Sequence, residues 1–348
     1  MKKIMLFITL IVCLMLGIPM GVVGISSMKS DITSGKEVEK TPVKTDKKEP
    51  EAVNKTNTSD VQIKVYYKAQ DKVLTMNMEE YIKLVVSSEM PASFHEEALK
   101  AQSIAARSFL VPKMKIAGGS GCPKAKGADV CSEVHCQAFI PKEERMKKWG
   151  SEAQAKWRKV SSAVDGTRGM VLSYNNEIAK SIKYFSTSGG KTEDSQYVFG
   201  YSQPYLRSVE SKGEEKAPNF TSVQKIKRED FVAKIKGKYK DAKLDPKVLE
   251  KQIKITDKTI GERVKNVYIG GENLTGVQMR SLFSLKSAGF TFSFDKDNVV
   301  FNVKGYGHGV GMSQWGANEM GKTGKKYNEI LTHYYSGIKI DDYKKYIK

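Results

Sequence analysis

Apolar positions fall into three regimes along the chain. From Ile4 to Ile25 they form a run without a charged residue, as long as the roughly 20 residues that a membrane-spanning helix needs. From Met28 to Asp60 they give way to Lys, Glu, Thr, Ser and Asn, the composition of a flexible tether. From Val61 onward they return periodically. VQIKVYY at residues 61–67 alternates as a strand does, a turn follows at Gln70-Asp71, and Val73-Leu74 reads as a short second strand.

Asn77 to Phe109 carries two helical stripes joined at Met90-Pro91. Asn77 with Glu80, and Ser93 with Glu96, have the spacing of capping boxes, and Pro91 disfavours helical geometry at the residue before it. Ile82, Val85 and Val86 share a face that reaches Glu89 after a further three or four residues. A carboxyl group therefore ends an apolar stripe beside a corner. Further on, the pattern predicts a loop at 117–127, a basic amphipathic helix at 142–164, and strands at 170–174 and 178–185. The lysine-rich stretch 210–265, with a helix at 229–239, reads as a peripheral insertion. A strand at 264–269, a hairpin at 290–294 and 299–303, and a closing helix at 327–335 complete the set. GYGHGVGMSQWG at 305–316 is too glycine-rich for regular structure. Helices and antiparallel strands mix without a steady βαβ rhythm, which predicts an α+β class. The expected organisation is an anchor at 1–27, a linker at 28–60 and one large domain at 61–348.

Charge sharpens this picture. The 348 residues carry a formal net charge of +19, and Lys29 to Asp60 holds seven lysines and seven acids, so the excess lies on the folded part. Lys2 and Lys3 precede the apolar run, which predicts a cytoplasmic N-terminus and an extracytoplasmic domain. A cleaved signal peptide is the alternative, but the run exceeds an ordinary h-region and no A-x-A-like site closes it. Export argues against nucleic acid as partner of a basic domain; anionic wall polymers or a phospholipid surface suit the compartment.

Cys13 lies within the apolar run, leaving Cys122, Cys131 and Cys136 outside. An odd number predicts one disulfide with a free thiol, or a metal site. In CSEVHC, Cys131, His135 and Cys136 place thiols and an imidazole close together, a set suited to zinc, with Cys122 as a possible fourth ligand. Glu89 has two readings: a last-turn glutamate turned to water, or a general acid whose pKa is raised by the apolar face. Around His308, glycines at 305, 307, 309 and 311 permit close backbone approach, while Ser313 and Gln314 add polar tips. Ser186 and Ser188 lie in a serine-glycine stretch after a strand, but no G-x-S-x-G elbow supports a serine nucleophile.

EMPASFHEEALKAQSIAARSF, CSEVHCQAF, SIKYFSTSGGKTE and GYGHGVGMSQWGANEMGKTGKKYNEILTHYYSG, in that order, resemble the signatures of the stage II sporulation protein D family, which includes the amidase-enhancer proteins. The resemblance implies a lytic transglycosylase acting in engulfment during sporulation on peptidoglycan glycan strands stripped of stem peptides. It implies work at the mother-cell membrane with sporulation proteins P, an amidase, and M. The family's catalytic glutamate falls on Glu89, its zinc in some members on Cys131, His135 and Cys136, and its glycine loop on the segment around His308. Ser186, Ser188, His308 and Gln314 are the expected sugar contacts; Tyr184, Tyr201 and Tyr306 can stack on pyranose faces or pack. A zinc amidase, and a non-catalytic wall-binding activator of a partner amidase, are the alternative functions.

Overall fold

The computed structural model describes residues 61–347 except Lys126 and Val134. The expected membrane span and tether lie outside the described residues. Among the described residues, no helix is long and apolar enough to cross a membrane.

Alternation at the start of the domain produces a hairpin of β1 (Gln62–Tyr67) and β2 (Lys72–Asn77), in the register Ile63 to Met76 and Val65 to Leu74. Asp71 turns it with a left-handed φ of 48°. Asn77 then caps α1 (Met78–Glu89), its Oδ1 accepting from the amides of Glu79 at 2.8 Å and Glu80 at 3.1 Å. The capping box expected for the second helix does not form. α2 (Glu96–Leu110) starts after His95, whose Nδ1 accepts from Glu97 N, while Ser93 lies in a turn closed by Phe94 N and Pro91 O. The contact of His95 N with Asn318 Oδ1 holds His95 at the cap position, two residues beyond Ser93.

α2 is the spine of the first core. Thirteen of its fifteen residues are buried, and the small side chains of Ala98, Ala101, Ala105 and Ala106 let neighbours approach closely. One such neighbour is α1. Next in the chain come β3 (Val130–Cys131), parallel to β1, then α3 (Lys142–Trp149) and α4 (Ala153–Asp165). The single helix expected at 142–164 is thus two, broken at Gly150, where φ is +59°. β4 (Met170–Tyr174), β5 (Glu177–Ile178), β6 (Tyr184–Phe185) and the short α5 (Ser195–Phe199) follow.

A second hydrophobic core is built by residues from Ile226 to Val303. It contains β7 (Thr221–Lys227), α6 (Arg228–Lys238), the short α7 (Leu249–Gln252), β8 (Ile253–Lys258), β9 (Val264–Ile269), β10 (Glu272–Thr275), α8 (Gly276–Phe283), β11 (Gly289–Phe294) and β12 (Asn298–Lys304). Its sheets are ordered β11-β12-β7 and β10-β9-β8. Phe231 stacks on Phe283 at 4.8 Å, and Phe301 lies 5.3 Å from Phe283. The helix within 210–265 therefore buries its aromatic face only with help from the later hairpin, so this core extends past the expected insertion.

The chain then returns to the first core through β13 (Met312–Ser313), α9 (Gln314–Lys322), α10 (Tyr327–Tyr334) and β14 (Lys339–Asp342). β13 and the start of α9 lie inside the glycine stretch that was expected to lack regular structure. Ser313 caps α9 by accepting from Gly316 N. Both α9 and α10 pack on α2: Asn318 Oδ1 accepts from His95 N at 2.8 Å, and Glu97 from Tyr327 N at 2.9 Å. The observed class is α+β.

A buried ion pair fastens α1 to α2. Arg107 donates from Nε and Nη2 to the two oxygens of Glu79 at 3.0 and 2.7 Å, and from Nη1 to Met170 O at 2.8 Å. Neither side chain meets appreciable solvent. Removing one partner strands the other's charge, at a cost of about 3–5 kcal/mol, whereas replacing both by apolar groups is often near neutral. Arg107→Met is thus expected to lose about 3–5 kcal/mol in urea unfolding, and Glu79→Leu/Arg107→Met to recover most of it. A single variant as stable as the wild type would show that the pair holds nothing.

Candidate active site

Glu89 is the last residue of α1. Met90 is extended ahead of Pro91 while its amide still closes the last turn onto Val86 O, so the chain corners immediately after the acid. Its Oε1 accepts from Ala138 N at 2.9 Å and its Oε2 from Gln314 Nε2 at 3.4 Å. Burial raises the Glu89 pKa above the ordinary carboxyl value, and these two donors pull it partly back. The side chain is half-buried rather than sealed, so a ligand can reach it. Its two oxygens are thus held by protein donors rather than turned wholly to bulk water.

Tyr81 and Tyr184 flank the acid through a shared amide. Tyr81 OH donates to Gln137 Oε1 at 3.2 Å, and Gln137 Nε2 donates to Tyr184 OH at 2.8 Å. Burial pushes both phenols well up, and the nearby Glu89 charge adds to it. Both remain neutral hydrogen-bonding groups.

Just upstream of Gln137 lies the thiol cluster. Cys122, Cys131, His135 and Cys136 bring one donor atom each to within 4.8 Å of one another. His135 Nε2 is 3.2 Å from the sulfurs of both Cys122 and Cys131, and Cys122 Sγ is 3.8 Å from Cys136 Sγ. All three cysteines are free and buried. The grouping arises from a strand end and the turns after it, since Cys131 closes β3. From Cys136 the chain passes through Gln137 to Ala138, whose amide holds Glu89.

The glycine loop runs beside the serine-glycine stretch. Thr187 and Tyr306 exchange backbone hydrogen bonds at 3.0 and 2.8 Å, and β13 pairs with β6 in parallel. A Cβ on Gly311 would stand 2.1 Å from Lys183 O, and one on Gly309 would stand 2.5 Å from the Arg263 guanidinium, so both positions require glycine. His308 packs between Phe185 and Phe199 at centroid distances of 5.5 and 5.3 Å. Burial and nearby cations push its pKa down to about 3. Its Nδ1 accepts from Val310 N at 3.1 Å, which leaves Nε2 as the protonated, donating nitrogen.

The structure thus brings Gln314 onto Glu89 and sets His308 against Phe185, the neighbour of Tyr184. Ser186 is half-buried, its hydroxyl 3.2 Å from Thr187 Oγ1. Ser188 is different. It is turned inward, donating from Oγ and N to the two oxygens of Glu214 at 2.7 and 2.8 Å, and offers no free hydroxyl to a cleft. Glu214 and Gln137 escaped the sequence reading; only the adjacency of Gln137 to Cys136 hinted at either of them.

A family model described as Stage II sporulation protein (SpoIID) matches residues 66–174, the stretch holding Glu89 and the thiol cluster. Stage II sporulation protein D of Bacillus subtilis (strain 168) is 35% identical over 342 residues, covering 98% of this chain and 96% of that protein. The chain belongs to the stage II sporulation protein D family. The namesake from Bacillus amyloliquefaciens is 36% identical over 284 residues, covering 82% of this chain and 80% of its own length. An amidase enhancer of Bacillus subtilis (strain 168) is 27% identical, covering 75% of this chain and 40% of its own length.

The raised Glu89 pKa has a consequence for stability. Between the unfolded and folded values the native state binds the extra proton, so stability is fully present below the unfolded value and is lost as pH rises through the folded one. Glu89→Gln has no such titration. Urea unfolding should find the variant and the wild type closely matched at pH ~4 and the variant more stable at pH ~7. A gap of the opposite sign would mean that Glu89 is stabilised as the anion.

Proposed function

We propose that the chain is a peptidoglycan lytic transglycosylase that cleaves the bond between N-acetylmuramic acid and N-acetylglucosamine in peptide-stripped glycan strands. The observation that carries this reading is Glu89: a single carboxyl group with a raised pKa, at a corner open to a ligand, bonded by an amide N–H and a side-chain amide. Protonated Glu89 would donate to the glycosidic oxygen as the C1–O bond breaks and an oxocarbenium-like state develops. The resulting carboxylate would take the proton from the muramic C6 hydroxyl, whose oxygen bonds to C1 and closes a 1,6-anhydro ring. The nucleophile belongs to the substrate, so one acid serves both steps and no second carboxylate is needed. Gln314 would orient Oε2, and neutral His308, fixed between Phe185 and Phe199, would hold the glycine loop in place beside it.

The thiol cluster fits a structural zinc. Three thiols and one imidazole form a closed four-ligand set, and their donor atoms lie within 4.8 Å of one another, near the spacing that four ligands about 2.0–2.3 Å from one zinc require. Bound there, zinc would supply a fixed geometry. The protein's own contribution is to carry that order two residues onward, to the Ala138 amide that holds Glu89.

The names of the relatives support a place in sporulation and, through the amidase enhancer, in wall remodelling. The expected setting is the engulfing mother-cell membrane, anchored through Ile4 to Ile25, beside sporulation proteins P and M. A second reading is a wall-binding activator of a partner amidase, favoured by the enhancer relative and the net charge of +19.

Peptide-free glycan strands incubated with the extracytoplasmic part, followed by mass spectrometry, separate these readings. Anhydro-muramic ends are expected, and Glu89→Gln should lower their rate at least ~10²-fold with the fold kept. Reducing ends would indicate a hydrolase, unchanged strands an activator, and stem peptides freed from intact wall an amidase. Elemental analysis of protein purified without chelator should find one zinc per chain, and chelation should lower the unfolding midpoint. A disulfide among the three cysteines would overturn the metal assignment.

A further inference from the structure

A second concave site lies away from Glu89, where the first and second cores meet. Its cavity is about 340 Å³, within the size range of small-molecule sites. One wall is the outer face of the β11-β12-β7 sheet, where the cross-strand register sets Thr291, Asn302 and Val223 in one row and Gly289, Lys304 and Thr221 in the next. Ser188 and Gly189 contribute another wall, and the turn from Lys258 to Arg263 closes it.

The charge of this lining is one-sided. Lys191, Lys258, Arg263 and Lys304 face a single carboxylate, Glu262, which pairs with Lys191 at 2.9 Å. Arg263 is the anomaly. It is only 3% exposed, its Nη2 donates to Ser188 O at 3.0 Å, and its Nε and Nη1 have no hydrogen-bond acceptor. Glu193 lies near enough to attract the guanidinium, but among the described ion pairs none joins the two. A buried guanidinium with unused donors is costly unless an acceptor arrives.

We infer that this cavity is an anion subsite for an acidic saccharide, with the lysines at 258 and 304 receiving a carboxylate or phosphate oxygen, the buried Arg263 guanidinium adding its charge from below, and Val223 lying against the sugar. The lactyl carboxylate of a muramic residue and the phosphate of an anionic wall polymer share this chemistry. The choice of wall saccharides rests on the glycan-directed reading above; the anion preference rests on the cavity alone. Ser186 to Gly189 spans at most ~10 Å of chain, so one strand can touch both the loop beside Glu89 and this cavity.

Calorimetric titration of the extracytoplasmic part with N-acetylmuramic acid, glucose 6-phosphate, inorganic phosphate and neutral N-acetylglucosamine tests the inference. At least one anionic sugar should bind about tenfold more tightly than the neutral one, and which of them does so identifies the source. Lys258→Gln/Lys304→Gln, a pair of exposed substitutions, should weaken that binding by about tenfold, and Arg263→Gln by at least as much if it folds. Glu89→Gln should bind as the wild type does, which keeps this subsite separate from the catalytic assignment. Anion binding without glycan cleavage would sustain the subsite and sink the transglycosylase. Equal affinity for charged and neutral sugars, preference for inorganic phosphate over every sugar, or unchanged binding by the double-lysine variant would each overturn the subsite.

Discussion

Glu214 holds the loops of the site together from a position that solvent barely reaches. Its carboxylate accepts from Ser188 N and Oγ, from Ser211 and from Ser313 Oγ. Three segments far apart in sequence therefore meet on one charge. Ser313 is also the cap of α9, so its fixing sets the direction in which Gln314 leaves toward Glu89. A carboxylate has about four acceptor sites; Glu214 has four protein donors, whereas Glu89 has two, one of them at 3.4 Å. Burial raises the pKa of both. The first is saturated and serves as a fastener, while the second keeps sites available to a ligand.

How much of this was legible depended on how local each cause is. The strands at 170–174 and 264–269 carry their own short apolar runs and stand where the pattern put them. The corner after Glu89 is written by Pro91. Ser93 misled because the cap depended on which side chain, Ser93 or His95, could turn back toward the helix, and a tertiary contact through Asn318 holds His95. The thiols could be grouped from sequence, but not through the right geometry, because β3 exists only by pairing with β1. Glu214 and Arg263 had no signal at all. Their decisive partners are 26 to 99 residues away, and nothing local marks a glutamate or an arginine as buried.

The second core does more than add bulk. Its aromatic packing of Phe231, Phe283 and Phe301 stiffens the sheets from which the turn at 259–263 projects. Arg263 at the end of that turn lies under Gly309 and holds Ser188 O. The glycine loop therefore rests on a platform supplied by another hydrophobic unit. Its glycines are required for thinness as well as for freedom: all four have positive φ, and at Gly309 and Gly311 even a methyl group would collide with what lies beneath.

The hydrogen bond between Gln314 and Glu89 crosses 225 residues of sequence. During synthesis the acid thus exists long before the amide that orients it. A polypeptide that stops short of Gln314 lacks one of the two donors that hold the Glu89 carboxyl group. Arrival of the α9 segment is itself the step that assembles the pair.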